Sequence, residues 1–229
     1  MDKLGHKTLE TMAFAKWYNE WLYSLMKRYL GKDILEVGVG IGNFTKLLSK
    51  SDKVTAVDID RGYIDKLKEE EIENALFGYG DIEKGRYFFE GKKFDSIVCL
   101  NVLEHIKNDN KALKNMNSLL KKEGKLILLV PAFTFLYSDF DKLLGHYRRY
   151  RLKDILKKVE SSGFEVVSKR FLNWWAAIGW FLFIKMPKRK EMPKSPVKIF
   201  DAMGKIFLFP EKFIKPPFGL SVFVIAERK

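Results

Sequence analysis

Glutamine is missing from this chain, cysteine occurs once and histidine three times. A single cysteine excludes an internal disulfide framework and predicts a reducing, cytoplasmic setting. The missing glutamine, beside abundant Lys and Glu, is a composition associated with heat-adapted proteins. Long apolar runs are lacking too: the longest candidate, Phe171 to Ile184 (FLNWWAAIGWFLFI), is interrupted by Asn173 and falls short of the roughly 20 residues that span a bilayer. The opening MDKLGHKTLE has no apolar stretch behind its charges, so no secretory leader is expected. Acidic residues are the minority, Asp+Glu 29 against Lys+Arg 42, for a net charge of +13. That excess suits nucleic acid, an anionic membrane surface or a phosphorylated substrate, and equally an ordinary solvated Lys-rich face. What is present is a chain of 229 residues, 47% hydrophobic, enough for one sizeable core.

Periodicity sets the organisation. Trp17, Tyr18, Trp21, Leu22 and Met26 recur at three- and four-residue steps before Gly31, so residues 1–31 read as a helical segment. Strands and helices then alternate. Strands are expected at Asp33–Val37, Lys53–Asp58, Leu76–Tyr79, Phe94–Leu100 and Gly124–Val130, then at Phe164–Arg170 and Ser221–Glu227. Helices are expected at Thr45–Ser49, Ile64–Glu70, Asp109–Lys121 and from Leu152 towards Gly163. Such alternation predicts an α/β fold of seven strands, mostly parallel with the last antiparallel, and helices on both faces. About fifty residues, 173–220, separate the last two strands, too many for an ordinary loop. They combine Trp174, Trp175, Trp180, Phe181 and Phe183 with Lys185, Lys188, Arg189, Lys190 and Lys194. Aromatic rings beside a basic run suit peripheral contact with an anionic membrane; covering the domain's own core is the plainer use of the same residues.

The sharpest motif is Glu36-Val-Gly38-Val39-Gly40-Ile-Gly42-Asn43-Phe44, between a strand and a helix. Glycines there let the backbone turn tightly and approach a ligand beside a helix N-terminus. An acid, Asp58, follows Gly38 by about twenty residues, the spacing at which dinucleotide folds hold ribose hydroxyls. The G-x-G-x-x-G pattern nevertheless fails, because Asn43 stands where its third glycine or alanine belongs. A Walker loop fails as well, for want of Gly-Lys-Ser/Thr. Glu36, two residues ahead of the first glycine, would repel a pyrophosphate and suits a ligand carrying an ammonium group.

Glu36–Phe44, Val54–Asp60, Gly80-Asp81-Ile82 and Phe94–Ile106 together resemble the class I S-adenosylmethionine-dependent methyltransferases over roughly residues 30–170. The resemblance implies a Rossmann-like methyltransferase sheet, with S-adenosylmethionine as cofactor and S-adenosylhomocysteine as product. It places Gly38, Val39, Gly40, Gly42 and Asn43 against the methionine and ribose, with Glu36 orienting the methionine end. It further places Asp58 on the ribose hydroxyls, Ile59 on adenine, and Asp81 with Ile82 at the adenine edge. Leu100 and Asn101 fall beside the methionine end, and Tyr18 on an N-terminal lid. The stretches YNEWLY, LEVGVGIGNF, LNVLEHI, LVPAFTFLYSDFD, GHYRRY and PPFGLS are similar to a subgroup that often accompanies glycosyltransferases of cell-surface polysaccharide. A small-molecule or lipid-linked glycan acceptor is implied, with an RNA-directed enzyme or a cofactor-binding protein without catalysis as alternatives.

Methyl transfer needs a positioned nucleophile and, for a hydroxyl, a base. His105 and His146 are the candidates; His6 lies in the terminal segment. His105 sits in Asn101-Val-Leu-Glu104-His105, past a strand end. Some quinone-biosynthesis methyltransferases carry an acid at the place of Asn101 and form a metal site with the Glu-His pair, so Asn101 predicts that no metal binds. His146 lies in the stretch from Tyr137 to Tyr150, with Asp141, Arg148 and Arg149. Arg suits bidentate recognition of phosphate or carboxylate, so Tyr137, Asp141, Arg148, Arg149 and Tyr150 are expected to bind the acceptor. Against nucleic acid, Asn101-Val-Leu-Glu is not the Asn-Pro-Pro-aromatic of adenine methylation, and Cys99 lies inside a strand rather than in a Pro-Cys loop.

Overall fold

The computed structural model describes residues 16–50, 52–187, 211 and 214–229. His6, the first half of the proposed lid, the basic run from Lys188 to Lys194 and the apolar stretch Ile199–Phe207 lie outside the described residues.

All seven expected strands form, and a two-residue strand joins them at one edge. They are β1 (Asp33–Val37), β2 (Lys53–Asp58), β3 (Ala75–Asp81), β4 (Arg86–Tyr87), β5 (Phe94–Leu100), β6 (Leu120–Pro131), β7 (Phe164–Leu172) and β8 (Ser221–Arg228). One eight-stranded sheet orders them β4-β3-β2-β1-β5-β6-β8-β7. Strands β1, β2, β3, β5 and β6 are parallel, whereas β8 runs antiparallel between β6 and β7. The carboxyl ends of the five parallel strands therefore share one edge, where ligands of open α/β sheets bind.

The sheet is covered on both faces. Helices α4 (Asp109–Leu119) and α6 (Leu152–Ser161), with the short α5 (Asp139–Leu143) between them in the chain, bury Leu113, Met116, Ile155 and Val159 against Leu35, Ile97, Leu128 and Val224. On the other face α1 (Lys16–Met26), α2 (Thr45–Leu48) and α3 (Arg61–Glu69) bury Trp21, Leu22, Met26, Leu48, Ile64 and Leu67 against Ile34, Val98, Ile127 and Phe223. Strand residues alternate between these clusters because successive side chains point to opposite faces.

Two elements differ from expectation. Strand β6 begins at Leu120 rather than Gly124. Its polar start, Lys121-Lys122-Glu123, reads as a turn, but Leu120 pairs with Phe94 across a register shift and Lys121 bonds Asp95 at 2.7 Å. Past β7, helix α7 (Trp174–Trp180) runs into a π-helical turn, Phe181–Lys185. Asn173 starts α7 in the left-handed region, φ 61°. Its backbone N–H and that of Trp174 both donate to the carboxylate of Glu211 at 3.0 Å, which ties the two ends of the long insertion together.

Candidate functional site

The glycine turn after β1 is shaped by its backbone. Gly38, Gly40 and Gly42 have φ of 77°, 51° and 77°, a region that L side chains adopt at a cost. At Gly38 a Cβ would come within 2.3 Å of Val102 Cγ2, so glycine keeps the turn close to the end of β5. Gly38 and Val39 donate their N–H groups to the Val57 carbonyl at 2.8 and 3.2 Å, and Gly42 N–H returns to Val39 at 3.0 Å. Asn43, half-buried, closes the turn before α2.

The acids expected beside this turn all reach it or its neighbouring edge. Glu36 is 4% exposed and accepts the Thr45 hydroxyl at 2.5 Å. Burial pushes its carboxyl up to about 8, the Thr45 hydrogen bond opposing and the charge of Asp58 assisting. Asp58 ends β2 and accepts Gly40 N–H at 3.0 Å and Asp60 N–H at 2.9 Å. Ile59 next to it is 68% exposed, a bare apolar side chain at the ligand edge. Asp81 ends β3, nearly buried; it accepts Lys84 N–H at 2.9 Å and pairs with the Lys84 ammonium at 3.2 Å. Ile82 is 4% exposed, and its side chain belongs to the core, so only its backbone is offered to the edge. Leu100 ends β5 half-buried, and Asn101 follows it exposed with φ 54°.

Tyr18 is 7% exposed, in the core face that packs α1 and takes in Val39 of the glycine turn, and its hydroxyl accepts from Asn173 Nδ2 at 2.9 Å. Helix α1 is thereby fastened to the insertion.

A second cluster sits past the ends of β5 and β6. Glu104 and His105 occupy a 3-10 turn, Leu103–His105. The segment from Tyr137 to Tyr150 is stitched to that turn. Tyr147 N–H donates to the Glu104 carbonyl at 2.8 Å. The Arg148 guanidinium donates to the carbonyls of Ile106 and Lys107 at 3.0 and 2.8 Å and pairs with Asp109 at 2.9 Å. Tyr150, buried, points its hydroxyl at the Leu103 carbonyl and Asp109.

At the centre is Asp141, fully buried. It accepts from Arg149 Nε at 2.9 Å and Nη2 at 2.8 Å, from both groups of Ser138 at 2.8 Å, and faces His146 Nδ1 at 3.1 Å. Burial alone would raise the Asp141 carboxyl; His146, Arg149 and Ser138 together hold it below its ordinary value. Arg149 also lies over the Trp180 ring, 4.4 Å from its centroid. Tyr137 donates its hydroxyl to the His146 carbonyl at 2.7 Å.

This corrects the expected role of the two arginines. Both guanidiniums are engaged within the protein: Arg149, 5% exposed, forks onto Asp141, and Arg148 forks onto carbonyls. Neither guanidinium stands free to receive an anion. Sequence reading named Glu104 but gave it no place in the site; its buried carboxyl is pushed up to about 7 by desolvation, with His146 and Arg149 opposing. The signal was its place beside His105, taken together with the chain crossing back at His146. The rings of those two histidines meet edge to face, centroids 4.5 Å apart.

The bare turn, the exposed Ile59 and the carboxylates of Glu36 and Asp58 fit S-adenosylmethionine, with its ammonium, ribose and adenine. Asp58→Ala is expected to weaken S-adenosylhomocysteine binding by about 1–3 kcal/mol, roughly 5- to 150-fold. Calorimetry checks this, and unchanged affinity would refute the ribose assignment.

Comparison with known proteins agrees. A family model described as a methyltransferase domain matches residues 14–175. Among curated relatives, a ubiquinone biosynthesis O-methyltransferase of Coxiella burnetii is 35% identical over 100 residues, 42% of each chain. The chain spans less than half the length of the first curated relatives it matches. A Clostridium acetobutylicum S-adenosylmethionine-dependent methyltransferase has the same fold at TM-score 0.59 and 16% identity, over 93% of this chain and 91% of that one. The Synechocystis magnesium protoporphyrin IX methyltransferase, solved with bound SAH, aligns at TM-score 0.57 and 16% identity, over 100% and 85% of the two chains. With its sheet order, glycine turn and edge acids, the chain belongs to the class I S-adenosylmethionine-dependent methyltransferases.

Proposed function

We propose that this protein transfers the cofactor's methyl group to a hydroxyl of a small-molecule or lipid-linked glycan acceptor. The observation that carries the reading is the Arg149–Asp141–His146 chain beside Glu104 and His105, at the edge where Asn101 follows β5. When bound, S-adenosylmethionine supplies an electrophilic methyl group; the chain's own residues orient the acceptor and remove its proton. Asp141, held ionised, accepts a hydrogen bond from the Nδ1–H of His146, which leaves the Nε2 lone pair to receive the hydroxyl proton. The His105 ring packs on that of His146, centroids 4.5 Å apart, with Glu104 close by. The name of the Coxiella burnetii relative favours an oxygen acceptor.

The insertion favours an acceptor at a membrane surface. Among the described residues Ile178, Phe181, Leu182, Phe183 and Met186 are exposed on consecutive turns that include Lys185 and precede the basic run from Lys188. No helix of the described residues is long and apolar enough to cross a membrane, so contact would be peripheral. The nucleic-acid alternative rests on the charge of +13 alone.

The deciding experiment incubates the purified protein with methyl-labelled cofactor and separated lipid, glycan and RNA fractions. Label is expected in a lipid or glycan fraction in an alkali-stable ether linkage. His146→Ala should lower kcat by about 100-fold or more while S-adenosylhomocysteine affinity holds. Label confined to RNA, or full turnover in His146→Ala, would overturn this reading.

A further inference from the structure

We infer that Trp180, the last residue of α7, is a positioning residue for His146: by holding the Arg149 guanidinium on Asp141 it decides how much of one carboxylate oxygen is left for the imidazole. The two oxygens of Asp141 are used unequally. Oδ2 accepts the N–H and the hydroxyl of Ser138, both at 2.8 Å. Oδ1 accepts Arg149 Nε at 2.9 Å and Nη2 at 2.8 Å, and faces His146 Nδ1 at 3.1 Å. One carboxylate oxygen offers about two lone-pair directions, so the three donors on Oδ1 compete. The imidazole has the longest of these contacts. Arg149 and His146 share one acceptor atom, and whatever fixes the arginine sets the strength of the His146 bond.

Apart from Asp141, the guanidinium has one long hydrogen bond among the described residues, from Nη1 to the Ala132 carbonyl at 3.5 Å. Arg149 is buried, so water does not steady it. Its remaining support is the Trp180 ring, 4.4 Å from the guanidinium carbon to the centroid, and a planar cation on an indole face is a favourable pairing. Trp180 is itself held in place. Its Nε1–H donates to the Leu136 carbonyl at 3.3 Å, and Phe140 meets the ring edge on, centroids 5.5 Å apart and planes at 69°. Phe140 belongs to α5 and precedes Asp141 in the chain. The indole is thus wedged between the arginine and the helix that carries the arginine's partner.

Filling space would not require this residue. An aliphatic side chain fills a half-buried position too, but it offers no face to a cation. With the ring gone, the long arginine side chain regains rotamers that leave Oδ1, and water competes for its donors. Oδ1 then belongs more fully to His146, and the bond from Nδ1 shortens. A carboxylate can only accept, so the proton of that bond stands on the imidazole. Trp180 therefore sets how firmly the ring is held, and with it the aim of Nε2. Nothing in the stretch from Tyr137 to Tyr150 announces this part, because it comes from the insertion.

His146 is the base of the proposed function, on which this inference rests, and the test reads its imidazole without any acceptor. Nuclear magnetic resonance spectra of the full chain, labelled with nitrogen-15 at histidine, show the ring protons; the His146 signal is the one lost in His146→Gln. The parent should carry its proton on Nδ1. Trp180→Leu should move that proton's resonance downfield, as a shorter bond to a carboxylate requires, whereas Trp180→Phe, which keeps a ring face without the N–H, should stay close to the parent. Arg149→Lys brings one donor where the guanidinium brings two, so it should move the resonance the same way with Trp180 in place. Adding Trp180→Leu to Arg149→Lys should then change little, since the two act through one contact. S-adenosylhomocysteine affinity reports that each variant is folded; if Trp180→Leu does not fold, an unmoved resonance in Arg149→Lys overturns the inference. An unmoved resonance in Trp180→Leu, or equal shifts in Trp180→Leu and Trp180→Phe, would overturn it as well and leave Trp180 a packing residue. Turnover in His146→Ala tests the base itself and does not enter these spectra, so the two readings fail separately.

Discussion

Replacing Asp141 with alanine is expected to remove about 3–5 kcal/mol of folding stability, the cost of breaking a buried ion pair from one side. The carboxylate is fully buried and is the acceptor for Arg149, for both groups of Ser138 and for His146. Its loss leaves the Arg149 guanidinium in the interior with the Ala132 carbonyl at 3.5 Å and the Trp180 ring. Neither cancels a charge. The damage spreads along the chain, because Ser138 and Asp141 form the capping box that starts the helix Asp139–Leu143. Arg149 and Asp141 also join that helix to the return of the chain at Tyr150. Chemical denaturation of the variant against the parent measures the loss directly. Asp141→Asn, which retains an acceptor oxygen but not the charge, should fall between the two. A loss below about 1 kcal/mol for Asp141→Ala would show that the network is a surface-like pair rather than the centre of this edge.

That network was only partly legible in the sequence. Alternating apolar strands and amphipathic helices announced the sheet, since a period of two and a period of 3.6 are properties of the residues themselves. Glu36, Gly38 and Asp58 were legible for a related reason: they sit at strand ends, and parallel strands place their ends along one edge. Arg149 was not. A run of His, Tyr and Arg reads as a polar loop, and nothing local says that a guanidinium will be covered. Its burial depends on Asp141 eight residues earlier and on Trp180, which arrives from the insertion. The same holds for Tyr18, whose hydroxyl meets Asn173 across 155 positions of sequence. The start of β6 was missed because Lys121 is polar, while its partners Asp33 and Asp95 come from the starts of two other strands. Local pattern specifies elements, and long-range partners decide what a polar side chain is for.

Glu36 gives the cofactor site a dependence on pH that separates it from its surroundings. Its carboxyl is raised from 4.5 to about 8 by burial, so between those values the folded chain holds a proton that the unfolded chain has released. Stability must therefore fall as pH rises from about 5 to 8, by up to about 1.4 kcal/mol per unit, and level off above. Glu104, raised to about 7, contributes a slope of the same sign, so the measurement is a difference. The parent should lose stability across this range more steeply than Glu36→Gln, in which the Thr45 hydroxyl keeps an acceptor and no proton is released. A ligand bearing an ammonium group reverses the preference at this position, because a nearby cation favours the carboxylate. Binding of S-adenosylhomocysteine near pH 7 should accordingly release close to one proton from the parent protein, visible as a dependence of the calorimetric heat on buffer ionisation, and affinity should rise with pH until about 8. In Glu36→Gln both the proton release and the rise should vanish. Equal pH profiles for parent and variant, in stability and in binding, would mean that Glu36 is a packed acid under the glycine turn and has no part in recognising the methionine end.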